Sequence, residues 1–284
     1  MGAPTIPHQL DVYFHEFPEF NARQLQDYIN SCDPDEPDKV KVELVKDETK
    51  KGLRLLSFTA TMGEFALMGL IHSVPSPDTA TIPSSRLPQG TKSKLENHRC
   101  FALLTNMGGA KYAPYEAEIF LYKVAVALCQ QEAALGVGNV HTGVCLPQEL
   151  LNQIAKGVPG GTIWKALRSE GEPMEMLATV LMVPSVGANW LVTRGFAQCG
   201  FPNLAFRVEP GDNLKDVVSM YSNIFTYFMQ NGPVIEAGHT MGHDKNVAFR
   251  FNEPPPHLKF PFETWKLLVV SRERTERKKF LGLF

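Results

Sequence analysis

The stretch 193–243 decides the fold, because it contains the most strongly patterned helix of the chain and the glycines that bound it. Three glycine-containing segments, which we call its fixed segments, are Thr193-Arg194-Gly195-Phe196, Gly200-Phe201-Pro202-Asn203-Leu204 and Gly238-His239-Thr240-Met241-Gly242-His243. Between them, apolar residues recur at helical spacing from Leu214 to Phe228. Asp212 or Asn213 is placed to cap this helix, and Asn231-Gly232-Pro233 ends it. The stretch predicts a capped amphipathic helix over 214–230 between two glycine-bounded strands.

Helices and strands interleave irregularly outside this stretch. Residues 10–14 and 40–45 alternate between apolar and polar side chains, as do strands with one solvated face. A second long helix is predicted from Pro114, with an apolar run up to Leu128 and a C-terminal glycine at Gly136. Strands follow one another at short antiparallel spacing, and no repeat period appears. The sequence therefore predicts an α+β fold with mixed or mainly antiparallel sheets and packed helices.

A long connector indicates two lobes. Residues 73–95 are rich in Pro, Ser and Thr, as in Val74-Pro75-Ser76-Pro77 and Leu87-Pro88-Gln89-Gly90. Connectors of this length and composition commonly separate domains. We therefore expect an N-terminal α+β lobe over 1–92 and a C-terminal α+β lobe over 93–284.

Composition excludes several classes of protein. The 284 residues are 44% hydrophobic and 20% charged, with a net charge of −2, which is typical of a globular protein and unlike a surface that coats nucleic acid. No stretch approaches the roughly 20 apolar residues of a membrane helix. The start lacks a signal peptide, and the five cysteines are scattered without a CxxC pair. These features predict a cytosolic protein with buried thiols.

The acidic loop, residues 33–38, concentrates negative charge at Asp33, Asp35, Glu36 and Asp38. Two interpretations are open. The loop is either an ordinary solvated loop or a docking surface for a basic partner, in which clustered carboxylates accelerate association and select the partner. On the second interpretation these four residues are the partner-binding residues.

Signatures of catalysis are weak. His239 and His243 have the spacing of two metal ligands on a helix, but Gly238 and Gly242 favour a turn or a strand, in which residues four apart lie about 13 Å apart. No nucleophile elbow, dinucleotide fingerprint or phosphate loop is present. Arg194 has the planar fork that binds anions, although a salt bridge is its more ordinary role. The sequence predicts no catalytic residue, no metal and no cofactor.

Several motifs in the C-terminal two thirds form a set: Ala113-Pro114-Tyr115-Glu116 with the helix that follows, Ala134-Leu135-Gly136-Val137, and the three fixed segments of the stretch 193–243. This set resembles a bacterial family known mainly as a domain of unknown function. Members occur near secretion and toxin loci, and the whole chain looks like the immunity proteins that protect a cell from its own type VI secretion effectors, including nucleases. The shared motifs mark turns and strand ends, so the resemblance transfers no catalytic residues.

These observations predict a cytosolic immunity protein, not an enzyme, that neutralises a cognate secreted toxin effector by protein–protein interaction. A nuclease is one candidate effector, and neither nucleic acid nor membrane is expected to bind directly. Two alternatives stay open. One is an enzyme with a non-standard site near His239, His243 and Arg194, and the other is a scaffold protein without catalytic function.

Overall fold

The computed structural model describes residues 8–109, 113–156, 173–242, 247–262 and 266–274. The chain divides into two compact units, the first formed by residues 1–179 with 198–200 and the second by residues 180–197 with 201–284. In the described part, seven helices accompany two mainly antiparallel sheets with 13 strands in all. The predicted α+β class is confirmed, while the division falls near residue 180 rather than between residues 92 and 93.

The first unit contains seven strands and six helices among its described residues. The strands are β1 (Gln9–Phe14), β2 (Lys41–Lys50), β3 (Leu53–Met62), β4 (Phe65–His72), β5 (Cys100–Gly108), β6 (Ala134–Asn139) and β7 (Val144–Pro147). The helices are α1 (Ala22–Cys32), α2 (Thr81–Ser84), α3 (Gln89–Glu96), α4 (Pro114–Leu128), α5 (Gln148–Lys156) and α6 (Pro173–Leu177).

The first sheet has the strand order β2-β3-β4-β5-β1-β6-β7, and all its pairings are antiparallel. The segment predicted as a connector between lobes lies within this unit, because it links β4 to its neighbour β5. Its helices α2 and α3 place Ile82 and Leu95 in one apolar cluster with Tyr13 and Phe101 of the sheet. The prolines and serines of this segment therefore shape a crossover that covers one face of the sheet.

Helix α4 is buried around its whole circumference, since every residue from Ala117 to Leu128 is shielded from solvent. A helix with apolar residues on all sides belongs in a core. It begins at Pro114 as predicted. The predicted end at Gly136 is wrong, because the helix ends at Leu128 and the chain turns back to form β6 beside β1. Gly136 lies in β6, where an added Cβ would lie 2.5 Å from the carbonyl oxygen of Leu146.

Two charged side chains of α4 lie in this core, Glu118 and Lys123, each with 1% exposure. Nδ1 of His8 lies 2.8 Å from Oε1 of Glu118, and burial raises the pKa of this carboxyl. Lys123 pairs with two carboxylates of the acidic loop, Asp33 and Glu36. The core helix thus carries one acidic and one basic side chain, each with a partner.

The second unit contains the stretch that decides the fold. Its elements are β8 (Thr179–Ser185), β9 (Ala188–Arg194), β10 (Leu204–Val208), α7 (Leu214–Asn231), β11 (Thr240–Gly242), β12 (Val247–Asn252) and β13 (Leu268–Arg274), and a 3-10 turn (Phe196–Cys199) has its first two residues in this unit. The sheet order is β11-β12-β13-β10-β9-β8, with β10 and β13 parallel. Strands β9 and β10 therefore lie side by side and precede α7 in the chain.

Helix α7 confirms the predicted capped helix. The side chain of Asn213 accepts a hydrogen bond from the backbone N–H of Lys215, and Gly232 ends the helix with a φ of 76°. Its buried face includes Tyr221, whose hydroxyl donates to the carbonyl oxygen of Leu191 at 2.7 Å. The glycine-bounded strands and the helix therefore form one packed element of the second unit.

Candidate partner-binding site

The acidic loop joins α1 to β2 and divides its four carboxylates into two pairs. Asp35 and Asp38 are exposed, whereas Asp33 and Glu36 are half-buried. Oδ2 of Asp33 lies 3.0 Å from Nζ of Lys123, and Oε2 of Glu36 lies 3.3 Å from the same nitrogen. We call Asp33 and Glu36 the inner pair and Asp35 and Asp38 the outer pair.

Lys123 explains why the two carboxylates of the inner pair are half-buried. Its side chain is 1% exposed, and removing an ammonium from water costs several kcal/mol of free energy unless opposite charge and hydrogen bonds compensate. The two carboxylates supply both, because each accepts a hydrogen bond from Nζ. The sulfur of Met62 lies 3.9 Å from the same nitrogen. The buried ammonium therefore fastens the acidic loop to the core helix.

Backbone contacts hold the acidic loop as well. Nζ of Lys39 donates to the carbonyl oxygen of Pro34 at 2.7 Å and to that of Asp33 at 3.3 Å. At the start of β2, the side chain of Asn30 accepts from the N–H of Val40 and donates to its carbonyl oxygen, at 2.8 and 2.9 Å. Loops with few such contacts open readily. This loop is held at several points along its length.

Strand β2, which follows the acidic loop, forms an edge of the first sheet. Near its start α1 covers this edge, since the N–H of Val42 donates to Oε1 of Gln26 at 3.1 Å. Further along, the register shifts between Leu44 and Lys46, and the side chains of Leu44 and Val45 are 51% and 64% exposed. Covered edges, bulges and charged side chains protect a sheet against unwanted strand addition. The exposed apolar pair is therefore available for side-chain contact.

The carboxylates of the outer pair lie at the surface. Within the described part of the chain, neither Asp35 nor Asp38 forms an ion pair. Leu44 and Val45, two exposed apolar side chains, follow in β2, six and seven positions after Asp38. Exposed apolar groups beside charged groups are typical of protein contact surfaces. The arrangement is suited to binding a basic protein surface.

The residue that sequence reasoning missed is Lys123. It stands in the apolar run of α4, and a cation in a fully buried helix requires acidic partners. That requirement was visible in the sequence, because Lys123 is the one basic residue between Pro114 and Leu128. The sequence does not show which carboxylates pair with Lys123, since Asp33 lies 90 positions away.

The alternative enzyme site is not assembled by the residues that the structure describes. Arg194 ends β9, and His239 precedes β11, four strands away in the same sheet. At the usual spacing of strands this separates them by about 19 Å. Nδ1 of His239 accepts a hydrogen bond from the N–H of Glu236, and the guanidinium carbon of Arg194 lies 5.7 Å from the ring centre of Phe262. His243 lies outside the described residues.

The described cysteines and other possible metal ligands are placed as follows. Among the described residues no group of three or more His, Cys, Asp or Glu is arranged to hold a metal ion. All five cysteines are free, and four of them are buried. Burial raises the pKa of Cys145 to about 12, so its thiol stays protonated at neutral pH. The predicted buried thiols are thus confirmed for Cys100, Cys129, Cys145 and Cys199, whereas Cys32 is half-buried.

Comparison with known proteins gives no assignment. No family model, curated protein or solved structure matches the chain. None of the helices in the described residues combines the length and the apolar character needed to cross a membrane. The contacts and charges of the acidic loop are therefore the basis for a functional hypothesis.

Proposed function

We propose that the protein is a cytosolic immunity protein that binds a cognate secreted toxin effector and neutralises it by protein–protein contact. The acidic loop and the exposed side chains of Leu44 and Val45 in β2 form part of the proposed interface. The observation that carries this proposal is the attachment of the acidic loop to Lys123, at 3.0 and 3.3 Å from its two inner carboxylates.

The attachment favours binding in two ways. A loop that is already ordered loses less conformational entropy when a partner docks, so more of the contact free energy appears as affinity. Lys123 engages the inner pair, whereas the outer pair keeps its carboxylates exposed at the surface. Clustered exposed carboxylates accelerate encounter with a basic surface and disfavour acidic partners.

A nuclease effector would supply a suitable basic surface. Enzymes that act on nucleic acid concentrate Lys and Arg where phosphates bind. Asp35 and Asp38 would meet such groups directly, while Leu44 and Val45 would exclude water beside them. Such an interface neutralises the effector either by covering its substrate-binding surface or by binding a surface beside it. In both cases neutralisation requires no catalytic group on this chain.

The first prediction is a stable complex with an effector. The affinity-tagged chain is expressed together with each secreted effector encoded next to its gene, and the complex is isolated by affinity and size-exclusion chromatography. We expect one effector to co-purify and its toxicity to cells to be suppressed. Effectors from unrelated loci serve as controls. Failure of every neighbouring effector to form a complex would refute the proposed function and favour a scaffold or an enzyme.

A further inference from the structure

A second polar feature of the first unit is a cavity of about 210 Å³ on its sheet. It is lined by residues of β1, β5 and β6 and by the segment after β4, among them Gln9, Asp11, Ser76, Asp78, Phe101 and Leu103. Side chains two apart on a strand point to the same face. Asp11 therefore shares a face with Tyr13, which packs with Ile82 of α2 and Leu95 of α3.

Among the described residues, the carboxylate of Asp11 has no ion-pair partner. Its one hydrogen bond among the described residues comes from the hydroxyl of Ser76, at 2.7 Å from Oδ2. Within the same part of the chain, no Lys, Arg or His side chain pairs with Asp11 or with Asp78. Burial, with a smaller contribution from the carboxylate of Asp78, raises the pKa of Asp11 to about 6. Among the described residues, the wall of the cavity thus carries the carboxylates of Asp11 and of the exposed Asp78 without a cation paired to either.

The imidazole of His98, which contacts Ser76, is committed to other contacts. Nε2 of His98 accepts a hydrogen bond from the N–H of Ser76 at 2.8 Å, and Nδ1 of His98 donates to the carbonyl oxygen of Leu95 at 2.6 Å. Burial lowers the pKa of His98, which keeps the ring neutral. The ring therefore positions Ser76, and Ser76 in turn orients Asp11. The His98 ring therefore has no proton available to neutralise the carboxylates of the cavity.

The polar groups that face the cavity are mostly acceptors. Both carboxylates accept hydrogen bonds, and Gln9 adds an amide oxygen, which lies 3.4 Å from Nε2 of His141. Phe101 and Leu103 supply apolar wall. A metal ion prefers a shell of several oxygen ligands, whereas an alkyl cation uses both acceptors and apolar contact. The lining therefore favours an organic cation.

We propose that this cavity binds a small organic cation with a primary ammonium or guanidinium group. Its N–H donors bond to the carboxylates of Asp11 and Asp78, and its alkyl part packs against Leu103 and Phe101. The size is suitable, because a cavity of about 150 Å³ holds a benzene ring and this one is larger. The site is separate from the acidic loop and does not depend on toxin binding.

The second prediction concerns binding of two probes, n-butylammonium and agmatine. Titration calorimetry at pH 7.5, where Asp11 is ionised, is expected to show saturable binding of both to the full chain. The variant D11N is expected to bind at least about tenfold more weakly, because a charge-assisted hydrogen bond is lost. Since the ionised carboxylate is poorly solvated in the cavity, D11N is expected to fold at least as stably as the wild type.

Three controls make the test decisive. The neutral probe 1-butanol has a similar size and is expected not to bind. The variant E96Q, which removes an exposed charge from α3, is expected to bind like the wild type. Equal binding of butanol, unchanged binding by D11N, or binding of Mg²⁺ or Ca²⁺ in place of the organic cations would each overturn the proposal. Circular dichroism of D11N confirms that a loss of binding is not a loss of fold.

Discussion

The double variant D33N/E36Q is expected to lower the free energy of unfolding of the first unit by about 3 kcal/mol, because it leaves Lys123 buried without an opposite charge. Lys123 is 1% exposed, so water cannot replace the lost partners unless the acidic loop opens. The two substitutions keep the size of each side chain, so the effect reports charge rather than packing. Urea denaturation followed by far-ultraviolet circular dichroism measures the change.

Two matched variants separate this effect from a general loss of negative charge. The outer-pair variant D35N/D38N removes the same charge from the same loop and is expected to change stability by less than about 0.5 kcal/mol. Adding K123M to D33N/E36Q is expected to recover most of the loss, since a Met side chain carries no charge that must be buried. Equal stability of the inner-pair and outer-pair variants would contradict the anchoring role of Lys123.

The variant F225A is expected to lower the free energy of unfolding of the second unit by about 3–5 kcal/mol, as is usual when a buried Phe is truncated. Phe225 of α7 is fully buried, and its ring centre lies 4.9 Å from that of Phe196 and 5.4 Å from that of Phe201, both in edge-to-face geometry. The loss includes the cavity and these aromatic contacts. Tryptophan fluorescence during urea denaturation measures the change, with Trp190 as a reporter in this unit.

Tyr227 offers a control on the same helix, because its side chain is 38% exposed. Y227A is expected to cost less than about 1 kcal/mol. If F225A proves no more costly than Y227A, the face that α7 buries has been assigned incorrectly.

Local patterns predicted the elements whose determinants lie close together in the chain. The cap at Asn213, the glycine at Gly232 and the apolar face between them all belong to one stretch, and α7 follows from them. The start of α4 at Pro114 is equally local. Its end was not, because no glycine stops the helix at Leu128. The chain turns there because β6 must pair with β1 in the sheet.

Long-range pairing explains what the sequence did not predict. Strand β1 begins the described chain but lies between β5 and β6, so Leu10 pairs with Leu104 and Val12 with Val137. For the same reason the proline-rich segment after β4 resembles a linker in composition, although it crosses the sheet within one unit. The partners of Lys123 are distant in the same way. Sequence indicated the acidic loop and the buried helix separately, and folding places them together.

The most direct measurement of the central claim is the rate of association with the effector that co-purifies with the chain. We compare D35K/D38K with E96K/E132K, a charge reversal at two other exposed acidic positions of the first unit. At low salt the outer-pair reversal is expected to slow association at least about tenfold, with the difference shrinking as salt screens the charges, whereas the control reversal has a much smaller effect. Equal rates for D35K/D38K and the wild type would remove the acidic loop from the interface and contradict the proposed mode of binding.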